Sequence, residues 1–368
     1  MQDSSQYHTK SIQILQNLNL EARSALPLPR WKRTRYRAVK NWLAHYQVNS
    51  SASQIEQVKG CLEAFFHLNE IEDWLGMKTI LQAELDDSGY ELHEQLHIWG
   101  YYQEQTNTYE KLLGRLDRAL DSTILSGLGI TSHTLGHYEQ AIAYYEKDLG
   151  IVEQLKDIDG EVSALSNMAL AYHFLEEYSV AQWYHDRCLV KVDQIPNLAK
   201  RGAVFGNLGL TYKAQNNDEK ALECFERHLT LARQAKNQEG QGAALGNLGN
   251  LYRRLGRVDE GLQCYEEYLE IAVGMGDRWS QGAAFHGLSS FHRDQGDFSA
   301  ALLSALRSLV IFSDLNVSIE KTLRLFRRIC ENLGEDVYQN LLEECLTSGL
   351  VKQDADRVKI ILKSLPSG

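Results

Sequence analysis

The chain has 368 residues, of which 43% are hydrophobic and only four are proline, so it holds enough apolar material for a large core and few breaks for helices. Its formal net charge of −11 argues against general attachment to nucleic acid or to an anionic membrane surface. No apolar stretch approaches the roughly eighteen residues of a membrane span, and the start MQDSSQYHTK lacks a basic region followed by an apolar run, so neither a span nor a signal peptide is expected.

Residues 1–55 read as an N-terminal segment with its own logic. An amphipathic helix is expected around Ser11 to Ala22, ended by the Leu-Pro-Leu-Pro break at Leu26 to Pro29. A basic run follows, with Arg30, Lys32, Arg33, Arg35, Arg37 and Lys40 interleaved with Trp31, Tyr36 and Trp42. That pattern suits phosphate contact and base stacking, but a solvated helix face produces it as readily. The acidic segment Glu56 to Asp87 offers a partner within the chain.

Residues 56–120 read as degenerate helical hairpins. Gln57 to Leu81 is one, with Ala64, Leu68, Trp74, Leu75 and Ile80 on packing faces, and Gly89 to Leu116 continues in helix. Within it, His93-Glu94-Gln95-Leu96-His97 spells HExxH, which on a helix puts two imidazoles on one face beside a carboxylate, the zincin arrangement. The longer metzincin pattern breaks where its third histidine belongs, at Gln103, and nothing in the chain reads as the strands that such enzymes use. The expectation is a helical surface with no metal, no cofactor and no catalytic residues; a zinc hydrolase is the alternative.

Residues 121–320 hold five copies of one pattern, starting at Asp121, Glu161, Arg201, Gln241 and Gln281, forty residues apart. Leu149, Leu189, Leu229, Leu269 and Leu309 share one register, and eight residues earlier stand Ala141, Ala181, Ala221, Gly261 and Ala301. Leu128, Met168, Leu208, Leu248 and Leu288 form a third column, followed by Gly129, Ala169, Gly209, Gly249 and Ser289. Large beside small is what interlocking helices need. Gln241 to Leu255 and Val258 to Ala272 each repeat apolar residues at three- and four-residue steps, so each copy is two amphipathic helices. Gly136, Gly256 and Gly296 mark the turn between them, and Asp-Gly, Glu-Gly and Gly-Asp pairs near Asp159, Glu239 and Gly276 are expected to end the copies. A hairpin of this size cannot bury its apolar face alone, so the copies must stack: the fold class is all-α, a right-handed α-solenoid. Residues 321–368 are its C-terminal cap, with helices expected near Thr322 to Leu333, Glu335 to Leu346 and Ala355 to Leu365. Six cysteines lack metal-like pairing, and Cys224 and Cys264 share one repeat position, so they read as reduced, buried thiols of a cytoplasmic protein.

Asn-Leu-Gly at Asn207 to Gly209 and Asn247 to Gly249, Tyr212 and Tyr252 three residues on, Leu-Gly at the turn, and an aromatic residue at Tyr145, Phe225 and Tyr265 together resemble the tetratricopeptide repeat. The usual repeat of that family is about 34 residues; the forty-residue form is similar to the variety found in LGN/Pins-type adaptors, kinesin light chains and bacterial signalling tracts. The resemblance implies a non-enzymatic scaffold whose first helices line a concave, ligand-binding face.

At about 100° per residue, positions 2, 5, 9 and 12 after the start of each copy fall on one stripe of the first helix. Positions 2 and 5 are mostly small, as at Ser163, Ala243 and Gly246, which leaves room for a ligand backbone. Position 9 supplies Asn250, and position 12 supplies His133, His173, Lys213, Arg253 and Arg293, with Arg254 adjacent. Asn167, Asn207 and Asn247 stand on the neighbouring edge, able to hold a backbone amide. The expected partner is an acidic peptide or protein, steered by the cations.

Overall fold

The computed structural model describes residues 4–20, 27–47, 52–87, 89–315, 317–347 and 358–359. Among them are eighteen α-helices and no strand, with one isolated bridge between Glu84 and Glu91. The chain divides into two compact units, Met1–Leu175 and Glu176–Gly368. The division falls at the turn within the second forty-residue copy.

The first unit runs α1 (Ser4–Leu18), α2 (Arg30–His45), α3 (Gln54–Glu70), α4 (Trp74–Leu81), α5 (Leu92–Ile98), α6 (Tyr102–Leu112), α7 (Arg118–Thr134), α8 (Tyr138–Leu155) and α9 (Ile158–Phe174). One core cluster of this unit reaches from Tyr7 on α1 to Leu128 on α7, with Leu43, Phe65, Leu68, Met77 and Leu96 fully buried. The helix expected through Gly89 to Leu116 is instead two, because Gly100 takes φ +81°, a left-handed conformation that stops α5 after Trp99. The first expected helix lies earlier than its pattern suggested, and Glu21 to Leu26 lie outside the described residues.

The second unit runs α10 (Tyr178–Lys191), α11 (Leu198–Ala214), α12 (Asp218–Gln234), α13 (Gln238–Arg254), α14 (Val258–Met275), α15 (Arg278–Asp294), α16 (Phe298–Asp314), α17 (Glu320–Leu333) and α18 (Glu335–Thr347). Each helix packs on its sequence neighbour, and the first helices α11, α13 and α15 also meet one another. Stacked helix pairs of this kind make an all-α repeat solenoid. The last expected helix, Ala355 to Leu365, falls almost wholly outside the described residues.

Small residues sit where rings must pass. A Cβ at Gly209 would lie 2.6 Å from Phe225 and one at Gly249 2.6 Å from Tyr265, and Ala141, Ala181, Ala221 and Ala301 are completely buried. The leucine column is less central than its regularity suggests. Leu149, Leu189, Leu229 and Leu269 are half-buried, whereas the residues one place earlier, Asp148, Cys188 and His228, are buried. At about 100° per residue, one step moves a side chain from the edge of the packed face to its centre.

The two kinds of turn also differ from expectation. The turn within each copy is closed by a left-handed residue, Gly136, Glu176, Asn216, Gly256 and Gly296 in successive copies. Between copies that role falls to Lys156, Lys236 and Gly276. Gly160 and Gly240 do not end helices; they lie in the first turn of the next one, their N–H groups donating to the capping side chains of Asp157 (3.0 Å) and Asn237 (3.1 Å).

Candidate functional site: an aromatic chamber beside a cluster of cations

A cavity of about 670 Å³ lies within the second unit between the fourth and fifth copies and the start of α17. The first helices contribute Gly242, Ala243 and Gly246 of α13 and Ala283 of α15, and Ala272 of α14 adds a further small residue. Around them stand Tyr265 and Tyr268 of α14, Trp279 of α15 and Phe312 of α16. A Cβ at Gly246 would be 3.6 Å from Tyr268, ordinary contact, so the glycine leaves real space above the helix. Trp279 is 53% exposed and Met275 37%, so the apolar rim opens to solvent. Asn247 and Asn250 supply amides at the wall, although the Asn250 Nδ2 donates to the Gly246 carbonyl at 2.9 Å.

A second, narrower cup of about 170 Å³ shares His286 and Lys321 with the chamber and is otherwise lined by Arg253, Ser290, Arg293, Arg324, Leu325 and Arg328. Arg253 and Arg293 are held together by one carboxylate: Arg253 Nη1 donates to Asp294 Oδ2 and Arg293 Nε to Oδ1, each at 3.0 Å. Arg324 pairs with Glu320, 2.5 Å away. His286 is pushed down from the usual imidazole range by burial first and then by Lys321, Arg253 and Arg293.

The stripe read from the sequence is thus divided. Arg253 and Arg293 come together, with Asn247 and Asn250 on the adjoining chamber. Lys213 is half-buried, its ammonium disfavoured by burial and by Arg254, which donates to the Lys213 carbonyl at 3.1 Å and pairs with Asp218. Asn207 is partly buried on α11 of the same unit. In the first unit His133 lies against Tyr138 and Phe174, with ring centres 5.3 and 5.1 Å away, and burial pushes its imidazole below the usual range. His173 packs on Phe174 at 5.5 Å, and Asn167 is partly buried. Sequence reasoning missed Lys321, Arg324 and Arg328, which it assigned to a cap; their spacing of three and four residues on an amphipathic helix was the available signal. It also missed Asp294.

The HExxH residues serve three separate structural ends. His93 is buried, with Nε2 2.8 Å from Glu91 and Nδ1 2.7 Å from the Tyr109 hydroxyl. Glu94 accepts from the Glu91 N–H at 2.9 Å in a capping box. His97 lies over Tyr102, 3.4 Å from the Thr131 hydroxyl. Both His93 nitrogens are engaged, and among the described residues no group of three or more His, Cys, Asp or Glu is arranged to hold a metal. The basic run forms α2 and partly spends itself inside the chain: Lys32 donates to the Ile71 carbonyl, Arg35 pairs with Glu70 at 3.0 Å and Tyr36 donates to Asp73 at 3.0 Å. Among the described residues no helix is long and apolar enough to cross a membrane.

A sequence model of the tetratricopeptide repeat matches residues 160–234 and 240–313, and a second model of the same description matches residues 124–159. Among solved structures, a Rap protein in complex with competence and sporulation factor is similar at 13% identity, covering 93% of this chain and 99% of that one with a TM-score of 0.51. RapI in its apo form is similar at 14% identity, covering 90% of this chain and 89% of that one, TM-score 0.50. A signal transduction ATPase with numerous domains and a tetratricopeptide repeat sensor, from Pyrococcus horikoshii, is similar at 16% identity, covering 93% of this chain and 54% of that one, TM-score 0.54. At these identities the likeness is one of fold. No curated protein matches the sequence.

Proposed function

The chain belongs to the tetratricopeptide repeat family, and from that premise we propose that it is a non-enzymatic scaffold whose second unit holds an extended, acidic segment of a partner protein. The observation that carries the reading is the chamber itself: small residues on two neighbouring first helices, walled by aromatic rings of which Trp279 is exposed, with cations at one end. An apolar side chain of the segment fills the space among Tyr265, Tyr268, Trp279 and Phe312, where burial supplies affinity. Its backbone passes over Ala243 and Gly246 beside the Asn247 amide, and its acidic residues face the cup, which adds direction and association rate. The Rap protein of similar fold was solved with the competence and sporulation factor bound. The scaffold belongs in the cytoplasm, where its six cysteine thiols stay reduced.

Selection of random extended peptides on the full chain tests this. Enriched peptides are expected to carry a bulky apolar residue near an acidic one. Because Ala243 is exposed, Ala243→Trp is expected to leave Tm unchanged, and the indole filling the chamber should weaken those peptides about tenfold or more. Peptides that bind Ala243→Trp as well as wild type would remove the chamber from the function.

A further inference from the structure

The geometry points to a doubly charged phosphoryl group as the ligand of the cation cup, carried on a phosphorylated residue of the segment in the chamber; this rests on the chamber being a segment-binding site. Five cations line the cup, Arg253, Arg293, Lys321, Arg324 and Arg328, and two carboxylates pair with them, Asp294 and Glu320, which leaves a surplus of three positive charges. One Asp or Glu of a ligand removes a single charge of that surplus. A phosphomonoester carries about −1.5 to −2 and presents three strong acceptor oxygens.

The donors suit those oxygens. Four of the five cations are guanidinium groups, whose planar forks match phosphate bidentately. They are also partly pre-set: Asp294 fixes Arg253 and Arg293 side by side, and the Arg293 side chain is only 12% exposed. On α17, Lys321, Arg324 and Arg328 follow one another at three and four residues and so share one face. A cup of about 170 Å³ admits a group of phosphate size. His286, whose protonation burial and these cations disfavour, adds a ring to the lining.

The two cavities share His286 and Lys321. An extended segment advances about 3.3 Å per residue, so the phosphorylated residue lies within a few positions of the apolar anchor. The ligand class is therefore a phosphorylated segment with a bulky apolar residue close by.

The test uses full-length protein and three fluorescent pools of degenerate peptides, alike except for phosphoserine, glutamate or serine at the central position. The phosphoserine pool is expected to bind about tenfold more tightly than the glutamate pool. Arg324→Gln combined with Arg328→Gln, two exposed positions, should erase that preference with Tm unchanged. Equal binding of the phosphoserine and glutamate pools overturns the phosphoryl assignment and leaves the acidic-segment reading standing. Free O-phosphoserine binding as tightly as the phosphoserine pool also overturns it, because the cup then serves a small phosphate and no segment. If no pool distinguishes wild type from Ala243→Trp, the chamber reading falls and this inference with it.

Discussion

In the first unit, several polar side chains that leave solvent meet one another. Asp86 accepts from Tyr7 (3.3 Å) and from Gln95 (2.8 Å). Gln105 donates to the His93 carbonyl and accepts from Thr131, while the Tyr109 hydroxyl meets His93. In the second unit the copies are packed by large side chains against small ones, and its cavities leave arginines, amides and aromatic rims turned to solvent. The difference teaches how each kind of hairpin is specified. Irregular hairpins gain a unique arrangement from directional hydrogen bonds. Regular copies are fixed mainly by steric alternation, supported by a few buried bonds such as Ser289 to the Ala301 carbonyl, which leaves many of their polar residues at the surface.

Breaking each device in turn should give unequal losses. Phe225 is fully buried over Gly209, so Phe225→Ala should cost about 3–5 kcal/mol and loosen the second unit. Tyr109→Phe keeps the ring and removes one hydroxyl, leaving a buried His93 nitrogen short of its partner, at a cost of about 1–3 kcal/mol in the first unit. Urea unfolding gives the sizes and hydrogen exchange the location. A Tyr109→Phe loss as large as that of Phe225→Ala would mean that the network, and not the apolar cluster around it, holds the first unit.

Those two devices were not equally legible. Steric alternation recurs every forty residues, so Ala141, Ala221 and Gly209 announced the fold from the sequence. The network joins residues such as Gln105 and Thr131, 26 apart and in no common register, so no column revealed it. HExxH shows the cost of reading such residues locally: three neighbours in sequence belong to three different contacts in space. The site was half legible for the same reason. Ala243, Gly246, Asn247, Arg253 and Arg293 fall on the helical stripe, whereas Tyr268, Phe312 and Lys321 arrive from other helices. The leucine column marked a shared residue type, but the buried position beside it holds Asp148, Cys188 and His228, three types that no pattern unites.

That position sharpens the comparison, because Asp148 and His228 are equivalent residues of the first and third copies, 80 apart. Burial raises the Asp148 carboxyl to about 6, although it accepts a 2.5 Å bond from Ser122. Burial lowers His228 to about 4, and its Nδ1 has no hydrogen-bond partner. Between the unfolded aspartate value and about 6, the folded chain binds more protons at Asp148, so that group adds stability as pH falls. Between the unfolded histidine value and about 4, the unfolded chain binds more at His228, so that group removes stability as pH falls. From pH 7 to 5, protection of α8 should rise relative to that of α12. Asp148→Asn should stabilise the neutral protein by about 1–2 kcal/mol, and His228→Leu should abolish the α12 response. Parallel pH slopes in the two helices would show that the buried pair does not govern them.

The smallest expected effect tests the division of labour within the second unit. Asp294 follows Arg293 and binds two guanidinium groups, so it acts both as a structural clamp and as a competitor for any anion entering the cup. Its pairs lie near the surface, where such bridges contribute about 0–1 kcal/mol, so Asp294→Asn should shift Tm little. The same change removes one negative charge from the cup and leaves an amide oxygen to keep the arginines oriented. Affinity for the phosphoserine pool should therefore rise about two- to fivefold at low salt, and the gain should shrink as salt is raised, since screening weakens an exposed charge more than a buried one. Fluorescence polarisation across a salt series reads both effects. A fall in affinity instead would show that Asp294 matters more as the clamp that sets Arg253 and Arg293 than as their competitor, and would place this carboxylate with the inward-facing network of the first unit, in the service of position over charge.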